Sequence, residues 1–246
     1  MPLKFSLTAL PALLTGALLL GASLAQASDE QEDVTLQPMK LSYNASLDKG
    51  ISLNGDARRI LEQRDDGTWH FRTDVDSFVA DIDESLIFRW EDNQVVPLRY
   101  RYKLSGLFIR DREEAIDFDW ENNVVSGHHE GDKFSMKLEK GAMDPMGYQL
   151  QLSQDIKAGK REMEYRVIDK GDFDTDKFAV VDEETVRING DDIRTLKAEK
   201  VRDSDSKRES LMWFAPERDY LLIRFLQVEP DGSEYELTIS DAKVGR

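Results

Sequence analysis

The chain has 246 residues, with 33 Lys plus Arg against 49 Asp plus Glu, three His and no Cys, for a formal charge of −16. A hydrophobic fraction of 40% and a charged fraction of 33% describe a globular chain rather than a fibrous or membrane-embedded one. The missing cysteine excludes disulfides, thiolate nucleophiles, Cys-bound zinc, iron–sulfur clusters and lipobox acylation, and the acidic balance makes nucleic acid a poor partner.

At the start of the chain, Lys4 forms a short positive region, Leu7 to Leu24 an apolar run, and Ala25-Gln26-Ala27 a small-x-small cleavage pattern. Residues 1–27 therefore read as a signal peptide. An N-terminal membrane anchor is the rival, but Pro11, Gly16 and Gly21 interrupt an apolar run that is short for a full span. Cleavage after Ala27 removes one lysine and no acid, leaving 219 residues at a charge of −17. The expected compartment is the periplasm, reached by the general export pathway. With no cysteine the protein is not a lipoprotein, and no transmembrane span is expected after cleavage. Residues 28–40 read as a loose leader and 41–246 as a single β-rich domain.

Beyond the leader, short alternating runs are separated by turn residues: Asp65-Asp66-Gly67, Asp92-Asn93, Asn122-Asn123, Gly131-Asp132, Asn189-Gly190 and Pro230-Asp231-Gly232. Asn189-Gly190 is a strong hairpin signal. Tight turns imply antiparallel neighbours, because parallel strands need long crossovers. Period-two geometry places Leu86, Phe88 and Trp90 on one face of a strand, then Leu98, Tyr100, Tyr102 and Leu104, then Ile116, Phe118 and Trp120. Arg99, Arg101 and Lys103, and on the next strand Asp117 and Asp119, fall on the opposite, wet face. Later runs repeat the pattern: Phe134, Met136, Leu138; Met163, Tyr165, Val167; Tyr235, Leu237, Ile239. About ten to twelve strands are expected by the count of such runs.

One helix interrupts them, over about 144–158. Asp144 is the N-cap, Pro145 the first helical residue and Gly159 the stop. Tyr148, Leu152 and Ile156 form an apolar stripe. The fold class is mainly β: a single antiparallel, strongly curved sheet or half-open barrel with one inserted amphipathic helix, packed on the sheet or covering a cavity as a lid. An outer-membrane barrel is disfavoured by the ionic face and by the Val244-Gly245-Arg246 ending.

Chemical motifs are weak. His128-His129 with Glu130 and Asp132 reads as a solvated hairpin tip more readily than a metal site, and His70 as a surface residue. Asp172, Asp174, Asp176 and Glu183 echo a calcium loop, but Lys177 stands where that loop needs glycine. No metal and no cofactor are expected, and no catalytic residue is assigned. Abundant acids keep a two-carboxylate polysaccharide hydrolase only as a remote alternative. The aromatic rows remain, either as plain core or as the wall of an apolar site. The candidate ligand-binding residues are Phe88, Trp90, Tyr100, Tyr102, Phe118, Trp120, Tyr148 and Leu152. That role would need a cavity of roughly 300 Å3 or more between helix and sheet.

The segment Leu211-Met212-Trp213-Phe214-Ala215-Pro216-Glu217-Arg218-Asp219-Tyr220-Leu221-Leu222-Ile223-Arg224, with Met143-Asp144-Pro145-Met146 and the hairpin from Glu184 to Gly190, resembles an exported bacterial family, domain of unknown function 3108. Leu222 stands where that family usually carries proline. The resemblance spans roughly Leu41 to Ala242 and implies an envelope protein with an antiparallel β fold and no catalytic set. In general architecture the chain is also similar to periplasmic lipoprotein carriers. The expected function is a non-enzymatic periplasmic binding or carrier protein for a lipid or lipid-modified ligand. The alternative is a structural or protein-interaction module with a filled core. The expected partners are accordingly an apolar ligand or an envelope protein.

Overall fold

A computed structural model describes residues 34–50, 52–77, 80–106, 110–202 and 206–245. The expected signal peptide, and the leader as far as residue 33, lie outside the described residues. Period-two alternation becomes strand almost wherever it occurs. The first half of the sheet is β1 (Met39–Asp48), β2 (Ser52–Gln63), β3 (Trp69–Ser77), β4 (Ala80–Glu91), β5 (Gln94–Gly106), β6 (Arg112–Asp119), β7 (Val124–His129) and β8 (Asp132–Lys137). After β9 (Ala142–Met143) and the helix α1 (Gly147–Lys157) come β10 (Glu162–Asp169), β11 (Asp172–Ile188) and β12 (Asp191–Lys200). The chain ends with β13 (Glu209–Ala215), a short 3-10 turn, β14 (Leu221–Val228) and β15 (Glu234–Val244).

All fifteen strands form one sheet in the order β8-β7-β6-β5-β4-β3-β2-β1-β15-β14-β13-β12-β11-β10-β9. Every neighbouring pair is antiparallel except β9 with β10. The count exceeds the ten to twelve expected because elements such as the two-residue β9 are too short to show a period. Turn residues do the work assigned to them. Asn189 and Gly190 take φ of 53° and 91°, and Glu130 and Gly131 take 49° and 92°, the left-handed pairs that match the twist of tight hairpins.

The first and last strands, β1 and β15, pair in mid-sheet, so the sheet curls with β8 and β9 at its edges. Near those edges the gap is bridged by side chains. The Phe134 ring of β8 packs against Gly171 in the β10–β11 turn, and the Asp169 charge of β10 acts on the Glu114 carboxylate of β6. A half-open barrel results.

Two expectations need correction. Leu98 does not share the face of Tyr100 and Tyr102. A bulge lets β5 skip it, so Phe88 lies opposite Pro97 and the inward face passes to Pro97 and Val95. Residues 34–40 are not loose either. The Trp90 indole N–H donates to the Val34 carbonyl at 2.7 Å, Leu36 is buried in the core, and β1 begins at Met39. An apolar side chain three residues ahead of a strand has a core to enter, which polar composition alone did not reveal.

On the outward face the ionic rows pair as expected: Arg99 with Asp117 at 3.3 Å, Arg101 with Asp117 at 2.8 Å. Among the described residues no helix is long and apolar enough to cross a membrane.

Candidate ligand-binding cleft

The helix is shorter than the expected 144–158: its N-cap is Met146, and Asp144 holds the lead-in from two residues before it. Its Oδ1 accepts from the backbone N–H groups of Met146 and Gly147, both at 2.9 Å. Residues 145 and 146 form the lead-in rather than the first turn. Gly159, at φ 88°, ends the helix by donating to the Ile156 carbonyl. Asp144 is fully buried and its Oδ2 has no hydrogen-bond partner. Burial pushes its carboxyl up to about 7, against the pull of the two N–H groups.

Of the eight candidate ligand residues, Phe88, Trp90, Tyr100, Tyr102, Phe118 and Trp120 meet in one apolar cluster around Leu86 and Ile116. Phe118 and Trp120 stack at 6.2 Å, and the Trp120 indole N–H donates to the Pro97 carbonyl. Tyr148 and Leu152 belong to a second cluster, with Tyr148 stacked 5.2 Å from Phe178. The helix joins the two: Met146 and Leu150 face the first, Leu152 and Ile156 the second. None of the eight lines the cleft described next.

That cleft lies beside α1, with a cavity volume of about 50 Å3. Its apolar wall includes Leu41, Leu61, Phe71, Leu150 and Phe214. Its polar groups include Tyr43, Arg59 and Gln149, with Lys157 and Asp219 also lining it. Lys157 donates to Asp219 at 2.6 Å. Tyr43 donates its hydroxyl to the Leu222 carbonyl at 2.8 Å, and burial pushes that hydroxyl up to about 12 despite the nearby Arg59 charge.

Arg59 is 6% exposed. Its Nε donates to Thr73 at 3.2 Å, an Nη2 hydrogen goes to the Gln149 side-chain oxygen on α1, and the guanidinium sits 5.2 Å from the centre of the Phe71 ring. Among the described residues no carboxylate forms an ion pair with it. Register extends this polar point into a row. Arg59, Thr73, Glu84, Tyr102, Glu114 and His129 lie opposite one another across β2 to β7. A parallel apolar row, Leu61, Phe71, Leu86, Tyr100, Ile116 and Gly127, runs beside it. Tyr100 donates to Glu84 at 2.7 Å, and burial raises both groups. Glu114 is raised by burial and by the Asp169 carboxylate, while His129 nearby pulls it back.

Sequence reasoning did not single out this row. Glu84 and Glu114 could have been noticed, because each interrupts an otherwise apolar alternation: Ile82, Glu84, Leu86, Phe88 and Glu114, Ile116, Phe118. Arg59 could not, since Ala57-Arg58-Arg59-Ile60-Leu61 leaves the phase ambiguous.

The other motifs are separated. His128 and His129 sit on β7 rather than in the turn, so they take opposite faces, near Glu113 and Glu114 respectively. His70 lies 3.8 Å from Glu62 on the outward side. Asp172, Asp174 and Asp176 lie along β11, where Asp176 is buried and paired with Lys200 at 2.6 Å.

The family model for a protein of unknown function, DUF3108, matches residues 41–240. A solved β-barrel-like protein of domain of unknown function DUF1849 from Brucella abortus is 12% identical, with a TM-score of 0.59 over 87% of this chain and 100% of that one. A DUF1329 family protein from Desulfovibrio piger is 11% identical over 85% and 86% of the two chains, at a TM-score of 0.23. A domain from Vibrio parahaemolyticus, named for outer membrane lipoprotein sorting, is 11% identical over 84% and 85%, at 0.21. The likeness of fold rests on the first of these. No curated protein matches the chain.

Proposed function

The chain belongs to the family DUF3108, proteins of unknown function, and from that premise we propose a non-enzymatic periplasmic binding protein for an amphipathic ligand. The carrying observation is the cleft beside α1, where Leu41, Leu61, Phe71 and Leu150 surround buried polar groups of Arg59 and Tyr43. Its 50 Å3 is well below a usual ligand pocket. The cleft as it stands therefore takes the end of a ligand, and the remainder enters as α1 shifts.

In this reading α1 is a lid. Leaving its seat, it uncovers a wall already built from Phe88, Trp90, Tyr100, Tyr102, Phe118 and Trp120, with Tyr148 and Leu152 on the lid itself. Native mass spectrometry after gentle purification is expected to show a bound lipid-sized mass. Locking α1 to β2 by a disulfide between one cysteine introduced on the inward face of β2 and one on α1, at a pair shown to crosslink, is expected to prevent uptake. A clean apo mass, together with no uptake of any amphiphile by the unlocked protein, would reject the proposal.

One observation favours a second reading. The aromatic rows already fill their own interior, as a structural or protein-interaction module of the envelope requires. Crosslinking in cells that captures one defined envelope protein, with no lipid bound, is the outcome expected of that role.

A further inference from the structure

We propose that the cleft selects an anionic head group, with Arg59 as its receptor, and that the ligand is a single-chain amphiphile ending in a carboxylate. The proposal rests on the binding-protein reading above and specifies the class of ligand.

Arg59 occupies a core position. It lies between Ala57 and Leu61 on the inward face of β2 and is 6% exposed. A guanidinium so placed carries a large desolvation cost, which natural proteins usually offset with a paired carboxylate. Here no such partner exists among the described residues. Glu84 lies two strands away in the same row, near enough for the Arg59 charge to pull on its carboxyl, and its hydrogen bond comes from Tyr100. The groups that receive Arg59 hydrogens are neutral, the Thr73 hydroxyl and the Gln149 amide oxygen, with the Tyr43 hydroxyl nearby. Further guanidinium N–H donors remain, and Arg59 lines the cavity. Positive charge, a small volume and apolar walls are complementary to a carboxylate followed by a methylene chain. A cationic head would be repelled by the buried guanidinium, and a neutral head would leave its charge uncompensated.

The geometry also couples capture to the lid. Gln149 is the α1 residue that Arg59 holds. A carboxylate accepts a charge-assisted pair of hydrogen bonds from a guanidinium, stronger than the bond to a neutral amide. An arriving carboxylate therefore takes the place of the Gln149 oxygen, and the bond between floor and lid is released as the head group binds.

The test compares sodium dodecanoate, 1-dodecanol and dodecyltrimethylammonium, each below its aggregation threshold, by equilibrium dialysis. The wild-type protein is expected to bind dodecanoate at least tenfold more tightly than dodecanol and to reject the cation. In Arg59→Gln the preference for dodecanoate over dodecanol is expected to fall to within twofold, with the far-ultraviolet spectrum unchanged. Arg59→Lys, which keeps the charge but not the bidentate fork, is expected to fall between. Equal affinity of the wild type for dodecanoate and dodecanol would overturn the proposal while leaving the binding-protein reading standing. Binding of none of the three would overturn both. Should Arg59→Gln fail to fold, the order of the three amphiphiles on the wild type decides the matter alone.

Discussion

Replacing Asp144 by asparagine isolates the energetic cost of a buried acid at the head of α1. Asp144 is fully buried, and burial raises its carboxyl from the ordinary 3.8 to about 7. An acid raised in this way binds more protons folded than unfolded between those values. Its favourable contribution is complete below the unfolded value and is lost as pH rises through the folded one. Over the whole window the loss is of order 4 kcal/mol, and about 2–3 kcal/mol of it falls between about pH 5 and pH 8. Asparagine cannot ionise, and its Oδ1 can still accept from Met146 and Gly147, so the lead-in is kept. Urea unfolding of both proteins at about pH 5 and pH 8 measures the effect. The wild type is expected to lose about 2–3 kcal/mol relative to Asp144→Asn across that interval, equivalent to roughly 5–10 °C in Tm. Parallel stability curves, or a variant that gains nothing on the wild type as pH rises, would refute a buried, uncompensated carboxylate at this position.

Gly127→Ala is expected to be severely destabilising. Its Cβ would lie 1.8 Å from the Ala115 carbonyl oxygen and 2.8 Å from the Phe134 ring. Relieving a backbone clash of that depth costs about 3 kcal/mol or more, read as a shift in the urea midpoint or loss of soluble protein. Phe88→Ala empties a fully buried site in the first cluster and is expected to cost about 3–5 kcal/mol. A cost under about 1 kcal/mol would show that this interior is loosely packed. Leu36→Ala is expected to cost about 2–3 kcal/mol and to accelerate hydrogen exchange at Val34 and Leu36, since Leu36 anchors the segment before β1. No change in exchange would contradict that anchoring.

Much of the fold is legible along the chain. Alternation separates Leu86 and Phe88 from Ile87 and Arg89 because successive strand side chains point to opposite faces, whatever the sheet beyond them does. Asn189-Gly190 makes a hairpin because both positions accept positive φ. Tyr148, Leu152 and Ile156 share a helix face for the same local reason, and Asp144 holds the lead-in to that helix from outside it. These are consequences of covalent geometry and neighbouring residues.

The candidate site is of another kind. That Arg59 stands beside Thr73, and Glu84 beside Tyr102, depends on register between strands, and the skipped Leu98 shows how one bulge changes the phase of a whole strand end. Whether the aromatic rows leave a cavity depends on how far the sheet curls. Phe134 against Gly171 is one contact near its edges, between residues far apart in the chain. Sequence therefore determined most of the inward rows, but not the phase around Leu98 or Arg59. Tertiary structure alone decided that six of the candidate aromatics meet in one cluster and that a cleft lies beside a buried arginine, because volume and charge compensation are sums over elements that meet only once the chain has folded.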